Sequence, residues 1–160
     1  MQGISVCLGF KDKAEEAVNF YVSVFKDSKI LKITRYGKDQ HGPEGSVCTV
    51  AFMLNGQRYL AVNGGSDMFN FTYGMSLMVE CDDQAEIDYL WDKLIEGGGN
   101  HEVCGWVKDR FGLSWQILPA SFNRMMKDAT PEQVQSIFKT VWQMKKLDAA
   151  KIEEAYKKAA

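Results

Sequence analysis

Apolar and polar residues alternate through residues 4–10, near the start of the chain, in the pattern of a half-buried β-strand. The apolar positions then change to helical spacing, and Asp12 followed by Glu15 matches the sequence of a capping box. Asp27 and Ser28 end this helical pattern. The opening of the chain therefore predicts a strand followed by an amphipathic helix.

Three further stretches have the character of strands, at residues 29–36, 47–54 and 58–63. Asn55 and Gly56 separate the last two, and both residue types accept the positive φ angles of a type I′ turn. The sequence therefore predicts a tight hairpin at this point.

The order of strand, helix and strands then repeats about 70 residues later, in structure rather than in residue identity. Residues 75–81 alternate, and Asp83 with Glu86 matches a second capping box. Apolar residues at helical spacing follow, and three glycines at residues 97–99 end the helix. These signals predict a second strand and helix.

Two short strands complete the repeat, at residues 102–107 and 114–118. A turn at residues 109–112 joins them, and Pro119 ends the second strand because proline has no N–H to donate. The second half is shorter than the first, so one of its strands must be brief or irregular. The whole pattern predicts an α+β fold.

Residues 120–160 lie outside the repeat and predict a C-terminal helical extension. Thr130, Pro131 and Gln133 have the order of a helix start, with proline at the first helical position. One apolar stripe follows, formed by Val134, Ile137, Phe138, Val141 and Trp142. A last helix is predicted at residues 149–158. Since the stripe must be buried against the domain or a second subunit, we expect a homodimer that this extension contributes to or braces.

Several of these stretches together resemble a known family. They are AEEAVNFYVSVFKDSKI, RYG, GSVCTVAFMLNGQRYLAVNGG, CGWVKDRFGLSWQILP and QMKKLDAAKIEEAY. The chain resembles PhnB-like proteins of the vicinal-oxygen-chelate (glyoxalase/bleomycin-resistance) superfamily, in the subgroup often labelled 3-demethylubiquinone-9 3-methyltransferase. The resemblance implies two βαβββ modules, at residues 1–65 and 73–119, whose curved sheets form a concave cleft with the helices outside.

Charge and composition exclude several classes of function. The net charge of −2 and the lack of a basic stripe argue against nucleic-acid binding. No apolar run reaches membrane-spanning length, and the start of the chain lacks the pattern of a secretory signal. The four cysteines are widely spaced, so we interpret them as reduced thiols in a cytoplasmic protein.

The resemblance also implies where a metal ion would bind. Metal-binding members place ligands on the first and last strand of each module, and in the second module these positions are Ser76 and Gln116. Serine and glutamine are weak ligands, whereas the last position usually carries a glutamate in the metal-binding members. The departure predicts a metal-free site with no cofactor.

In the first module the implied positions leave two alternatives open on each strand. Ser5 or Cys7 takes the first-strand position, and Ala61 or Asn63 takes the last. Alanine cannot bind a metal, and a single cysteine lacks partner ligands. The first module therefore supports the same prediction.

We predict that the cleft binds a small, partly apolar molecule. The candidate ligand-binding residues are Gln116, Ser76, Cys7, Asn63, Tyr59 and Met78. Each has a plainer interpretation: Gln116 as a buried amide satisfied by neighbouring strands, Cys7 as a packed thiol, Tyr59 and Met78 as core filling, and Asn63 as part of a turn. Alternation places Trp115 on the face opposite Gln116, against a helix.

Two classes of function remain open. The first is a binding protein that sequesters or senses its ligand. The second is an enzyme, either the ubiquinone-pathway methyltransferase of the subgroup label or a metal-dependent isomerase or lyase. No catalytic residue is assigned, and His41 and His101 are interpreted as loop residues. Methyl transfer in the common fold needs a glycine-rich strand-to-helix turn, whereas the glycines at 97–99 follow a helix.

Overall fold

The computed structural model describes residues 3–159 of the 160-residue chain. The chain divides after Phe71 into two compact units, and each unit contains one four-stranded sheet. The predicted α+β fold of two βαβββ modules is confirmed. None of the helices among residues 3–159 is both long enough and apolar enough to cross a membrane.

The first unit has the order strand, helix and three strands. Its elements are β1 (Val6–Phe10), α1 (Ala14–Val24), β2 (Lys29–Arg35), β3 (Val47–Leu54) and β4 (Gln57–Asn63). The strand order in the sheet is β1-β4-β3-β2, in which β1 and β4 are parallel and the other pairs are antiparallel. Asn55 and Gly56 have φ angles of 45° and 79°, which confirms the predicted hairpin.

The first sheet has a buried face and an open face. On the buried face, Leu8 pairs with Ala61 and Ala61 with Val50, and all three side chains are fully buried. The helix α1 packs on this sheet and buries Ala17, Val18 and Tyr21. On the open face, Cys7 pairs with Leu60, and both side chains are exposed.

The start of α1 differs from the prediction. Lys13 occupies the cap position, and Asp12 makes no capping hydrogen bond there. The Ala14 N–H instead donates to Asn63 Oδ1 at 2.9 Å, so β4 supplies the cap from 49 residues away. The prediction that the first strand includes Ile4 is wrong, because β1 begins at Val6 and the Ile4 side chain is fully exposed.

The second unit repeats this order. Its elements are β5 (Ser76–Cys81), α2 (Gln84–Lys93), β6 (Asn100–His101), β7 (Trp106–Lys108) and β8 (Ser114–Pro119). The strand order is β5-β8-β7-β6, with β5 and β8 parallel. The Asp83 side chain accepts from the Glu86 N–H as predicted, whereas the Glu86 carboxylate accepts from the Asp82 N–H instead of from Asp83.

The predicted strand at residues 102–107 is wrong. Cys104 and Gly105 have φ angles of 58° and 79°, which a strand cannot contain. A Cβ atom at Gly105 would lie 2.7 Å from the Ile117 carbonyl oxygen, so only glycine fits this turn. The strand is therefore divided into β6 and β7, which confirms that one strand of this half is brief and irregular.

Three helices follow β8, namely α3 (Ala120–Asp128), α4 (Pro131–Val141) and α5 (Ala149–Lys158). The sequence did not predict α3, because no side chain caps it and it begins directly after the last residue of a strand. Thr130 and Gln133 form the predicted capping box of α4. The cluster that holds the helices together contains Leu118, Met125, Ile137, Val141, Leu147 and Ile152.

Candidate functional site

The second sheet leaves one face largely uncovered by α2. Three rows of paired residues cross β5 and β8 on this face, namely Ser76 with Ser114, Met78 with Gln116, and Glu80 with Leu118. On β7, Trp106 pairs with Gln116 and Lys108 with Ser114, so both extend these rows. We call these eight residues the open face of the second sheet.

Gln116 and Ser76 are joined at the centre of the open face. The Gln116 Nε2 group donates to Ser76 Oγ at 2.7 Å, and both side chains are half-buried. Within residues 3–159, Gln116 Oε1 accepts no hydrogen bond, and the Ser76 hydroxyl retains its own proton to donate. The pair therefore presents an acceptor and a donor to a molecule on this face.

Ser114 lies beside this pair and is a residue that the sequence analysis missed. Its side chain is fully buried, and its Oγ has no hydrogen-bond partner within residues 3–159. A buried hydroxyl without a partner costs about 1–3 kcal/mol of stability, so such groups are uncommon in native proteins. Alternation with Gln116 was the signal in the sequence that could have placed Ser114 on this face.

Apolar and aromatic groups flank the polar pair. Met78 is 54% exposed in the middle of a strand. The ring centroids of Tyr73 and Trp106 are 6.5 Å apart, and Lys108 Nζ lies 4.1 Å from the Tyr73 centroid as a cation–π contact. The Tyr73 hydroxyl donates to Glu102 Oε1 at 2.6 Å, which holds the tyrosine in this position.

The helical extension covers one end of the open face. Leu118 shares the face of Gln116 by alternation, but only 6% of it is exposed because it packs into the cluster of the extension. Beside it, Glu80 Oε1 accepts from Asn123 Nδ2 of α3 at 2.7 Å. The open face therefore ends at α3 in the direction of Glu80.

Trp115 lies on the opposite face of the sheet, as alternation predicts. It is 1% exposed, and its Nε1 group donates to Asp109 Oδ2 at 2.9 Å. Asp109 Oδ1 accepts from the Phe111 and Leu113 N–H groups, so this carboxylate organises the predicted turn. The division of Gln116 and Trp115 between two faces is confirmed.

The predicted residues of the first unit do not share one face. Cys7 lies on the open face of the first sheet, whereas Tyr59 and Asn63 lie on the face that α1 covers. Tyr59 stacks on the buried Phe52 with centroids 5.4 Å apart, and burial raises the pKa of its phenol. Tyr59 and Asn63 therefore belong to the packing of the first unit.

Asn63 has a complete set of structural partners. Its Oδ1 accepts from the Ala14 N–H, and its Nδ2 donates to the Val47 carbonyl at 3.0 Å. Its backbone carbonyl accepts from the Tyr36 hydroxyl at 2.9 Å. The side chain caps α1 and ties β4 to β3, which leaves little capacity for a ligand.

A cavity of about 470 Å³ lies in the first unit, at the loop that carries His41. Its lining residues are Tyr36, Asp39, Gln40, His41 and Cys48. The pKa of the Tyr36 phenol is raised mainly by its hydrogen bond with the Cys48 thiol, and to a smaller extent by burial. His41 lies in a loop as predicted, whereas the cavity itself was not predicted.

The residues at the family's metal positions do not fit a metal site. Ser76 and Gln116 offer a hydroxyl and an amide, and their mutual hydrogen bond already uses one donor and one acceptor. In the first unit, Cys7 faces the side chain of Leu60, while Ala61 and Asn63 lie on the other face. Within residues 3–159 there is no group of three His, Cys, Asp or Glu side chains that could hold a metal ion.

Comparison with known proteins connects this architecture to a family. Residues 2–118 match the family model described as 3-demethylubiquinone-9 3-methyltransferase. A structure of a PhnB protein from Bacillus cereus, with the same methyltransferase description, is 37% identical. The match covers 74% of this chain and 100% of that chain, with a TM-score of 0.64. The helices α3–α5 lie beyond the region of the family model.

Two more distant structures share the fold alone. Protein PA1353 from Pseudomonas aeruginosa is 19% identical over 74% of this chain and 98% of its own, with a TM-score of 0.62. The fosfomycin resistance protein FosX from Mesorhizobium loti is 13% identical over 79% and 98%, with a TM-score of 0.56. A comparison with curated proteins finds no match. The chain belongs to the PhnB-like family described as 3-demethylubiquinone-9 3-methyltransferase, within the glyoxalase/bleomycin-resistance superfamily.

Proposed function

We propose that this protein binds a small, partly apolar molecule on the open face of the second sheet, without a metal ion. The observation that carries the proposal is the Gln116–Ser76 hydrogen bond, which leaves an acceptor and a donor beside the exposed Met78. Binding sites commonly combine an apolar surface with a few polar groups that orient the ligand.

The balance of groups on this face favours a ligand with both polar and apolar parts. Covering the exposed part of Met78 removes apolar surface from water, which is favourable by about 25 cal/mol per Å². Gln116 Oε1 requires a donor from the ligand, and the Ser76 hydroxyl requires an acceptor. A neutral amide or hydroxyl group satisfies both.

Native mass spectrometry of gently purified protein tests the proposal by detecting a co-purified small molecule. We expect Gln116→Ala to reduce the ligand-bound fraction about tenfold, because a ligand group paired with the amide loses its partner. Gln57→Ala, which removes an exposed amide from β4, is the matched control and retains the ligand. Equal ligand content in wild type and Gln116→Ala, with both folded, would show that the open face is not the site.

The absence of a metal ion is a separate part of the proposal. A hydroxyl and an amide cannot hold a transition metal without further strong ligands. We expect elemental analysis of untagged protein to find far less than one Zn, Ni, Fe or Mn per chain. A stoichiometric metal that disappears in Gln116→Ala would overturn this part and favour metal-dependent chemistry.

We also propose a homodimer to which the helical extension contributes. The predicted stripe on α4 is divided: Ile137 and Val141 are buried in the second unit, whereas Trp142 is 68% exposed. The Trp142 ring lies 5.9 Å from Phe138, which extends the aromatic surface along the helix. A second copy covering this surface would bury both rings.

Light scattering tests the dimer. We expect Trp142→Glu to weaken dimerisation at least tenfold, because a carboxylate would replace an aromatic ring in the contact. Tyr89→Glu, at another exposed aromatic residue of this unit, is the control and leaves the dimer intact. If Trp142→Glu remains dimeric at the same concentrations, the extension serves only its own chain.

The second candidate is an enzyme on the same scaffold. The observation in its favour is the family model, whose description is that of a methyltransferase. An assay for methyl transfer to demethylated quinones distinguishes it from pure binding.

We also infer a cytoplasmic location, because Cys7, Cys48, Cys81 and Cys104 are all free thiols.

A further inference from the structure

Two opposite charges lie at the ends of a diagonal across the open face, and Gln116 lies between them. Lys108 on β7 is in the row of Ser114, one row before Gln116, and Glu80 on β5 is in the row of Leu118, one row after it. The three side chains therefore follow one line across three neighbouring strands. From Lys108 to Glu80 this line spans about 16 Å between Cα atoms, for two strand spacings and four residues of rise.

Neither charge is neutralised by an ion pair in the part of the chain that the structure describes. Within residues 3–159, no carboxylate lies within 4.0 Å of Lys108 Nζ, whose contact is with the Tyr73 ring. Glu80 likewise forms no ion pair with any of residues 3–159, and one of its oxygens accepts from Asn123. The nearby Glu102 accepts from the Tyr73 hydroxyl at 2.6 Å, and within residues 3–159 it forms no ion pair with Lys108. The diagonal thus has a positive and a negative end.

The groups beside the diagonal are apolar. Met78 and Trp106 lie on either side of Gln116 in the same row. A molecule along the diagonal would therefore contact a cation, then an amide between two apolar side chains, then a carboxylate. The lysine and glutamate side chains each account for several ångströms of this span of about 16 Å between Cα atoms. The two charges of a matching ligand are therefore about 10 Å apart.

We propose that the ligand is an elongated zwitterion, with its anionic group at Lys108, its cationic group at Glu80, and a middle part that contacts Met78 and Trp106 through apolar atoms and Gln116 through a neutral polar group. This inference rests on the proposed function, since it specifies the ligand class of the same face. The negative end has a further feature: Asn123, which fixes Glu80, belongs to α3, beyond the region matched by the family model. The helical extension therefore helps to select the ligand.

Three probes of equal chain length test the charge pattern, namely ω-amino-octanoate, octanoate and octylamine. Ligand-observed NMR titrations give their affinities for the full-length protein. We expect ω-amino-octanoate to bind about two- to fivefold more tightly than either singly charged probe, the range for exposed charge pairs. Glu80→Gln should weaken only the two amine-containing probes, and Lys108→Met only the two carboxylate-containing probes.

A charge exchange provides the sharper test. Lys108→Glu and Glu80→Lys should each weaken ω-amino-octanoate by at least fivefold, because each single variant repels one end. The double variant should restore wild-type affinity, since the zwitterion can then bind in the reverse direction. Lys38→Glu, in the first unit, controls for net charge and should have no effect.

Two outcomes separate this inference from the proposed function. If Gln116→Ala loses the co-purified molecule while the variants at positions 80 and 108 leave the affinities of all three probes unchanged, the site stands and the zwitterion is wrong. If no probe binds and Gln116→Ala retains the co-purified molecule, the proposed function itself fails at this face. If both single variants are weakened and the double variant does not recover the affinity for ω-amino-octanoate, the diagonal orientation of the ligand is also wrong.

Discussion

Trp115→Ala is expected to lower the free energy of unfolding by about 3–5 kcal/mol, the range for truncating a large aromatic residue in a core. Trp115 is 1% exposed, and its neighbours across the sheet are Leu77 and the fully buried Val107. The substitution leaves a cavity between the sheet and the residues that cover it. It also removes the indole N–H that donates to Asp109.

The adjacent residue is the matched control. Gln116→Ala removes a half-buried amide on the open face, where water can replace it, so we expect a loss below about 1 kcal/mol. Paired urea unfolding curves of the two variants measure the difference as a shift of midpoint at constant slope. A larger loss for Gln116→Ala than for Trp115→Ala would mean that the two faces of the sheet are exchanged.

Asp109→Ala is expected to cost about 3–5 kcal/mol, the second large effect. The Asp109 carboxylate is 3% exposed and accepts from the N–H groups of Phe111 and Leu113 and from the Trp115 indole. Removing the acceptor leaves three donors without this partner, and each unsatisfied buried group costs about 1–3 kcal/mol. Thermal unfolding followed by circular dichroism measures the change.

Asp109→Asn separates the role of the charge of Asp109 from that of its shape, and Asp12→Ala is a control. Asp109→Asn retains one acceptor oxygen for the turn but presents an NH₂ group to the Trp115 indole, so an intermediate loss is expected. Asp12→Ala removes an exposed carboxylate and should be nearly neutral. A double-mutant cycle of Asp109→Ala with Trp115→Phe should be non-additive, because the two residues share a hydrogen bond. Additive losses would contradict the proposed coupling.

Alternation along the strands predicted the face of each site residue in the second unit but not in the first. The period of two along residues 75–81 and 114–118 was enough to assign Ser76, Met78 and Gln116 to one face, because a strand inverts its side chains at every residue. In the first unit the implied positions left two alternatives open on each strand. Cys7 pairs with Leu60, which leaves Ala61 and Asn63 on the opposite face, so the candidates on the two strands do not share a face.

Local signals also identified the elements whose ends are determined by nearby residues. The hairpin at Asn55 and Gly56, the cap at Asp83 and the capping box at Thr130 all depend on residues within a few positions of each other. In contrast, α3 has no capping side chain, and its amphipathic face acquires a partner only through the cluster around Leu118. For this reason capping residues in the sequence could not predict α3.

The sequence by itself determined the order of strands and helices, the α+β class and the faces of the second module, since these depend on periodicity and turn residues. Only the tertiary structure decided that Asn63 caps α1, that Ser114 Oγ is buried with no partner among residues 3–159, and that Glu80 is held by Asn123. Each of these three facts joins residues far apart in the chain or depends on what covers a side chain. Such contacts follow from how folded elements pack, and local periodicity carries no information about them.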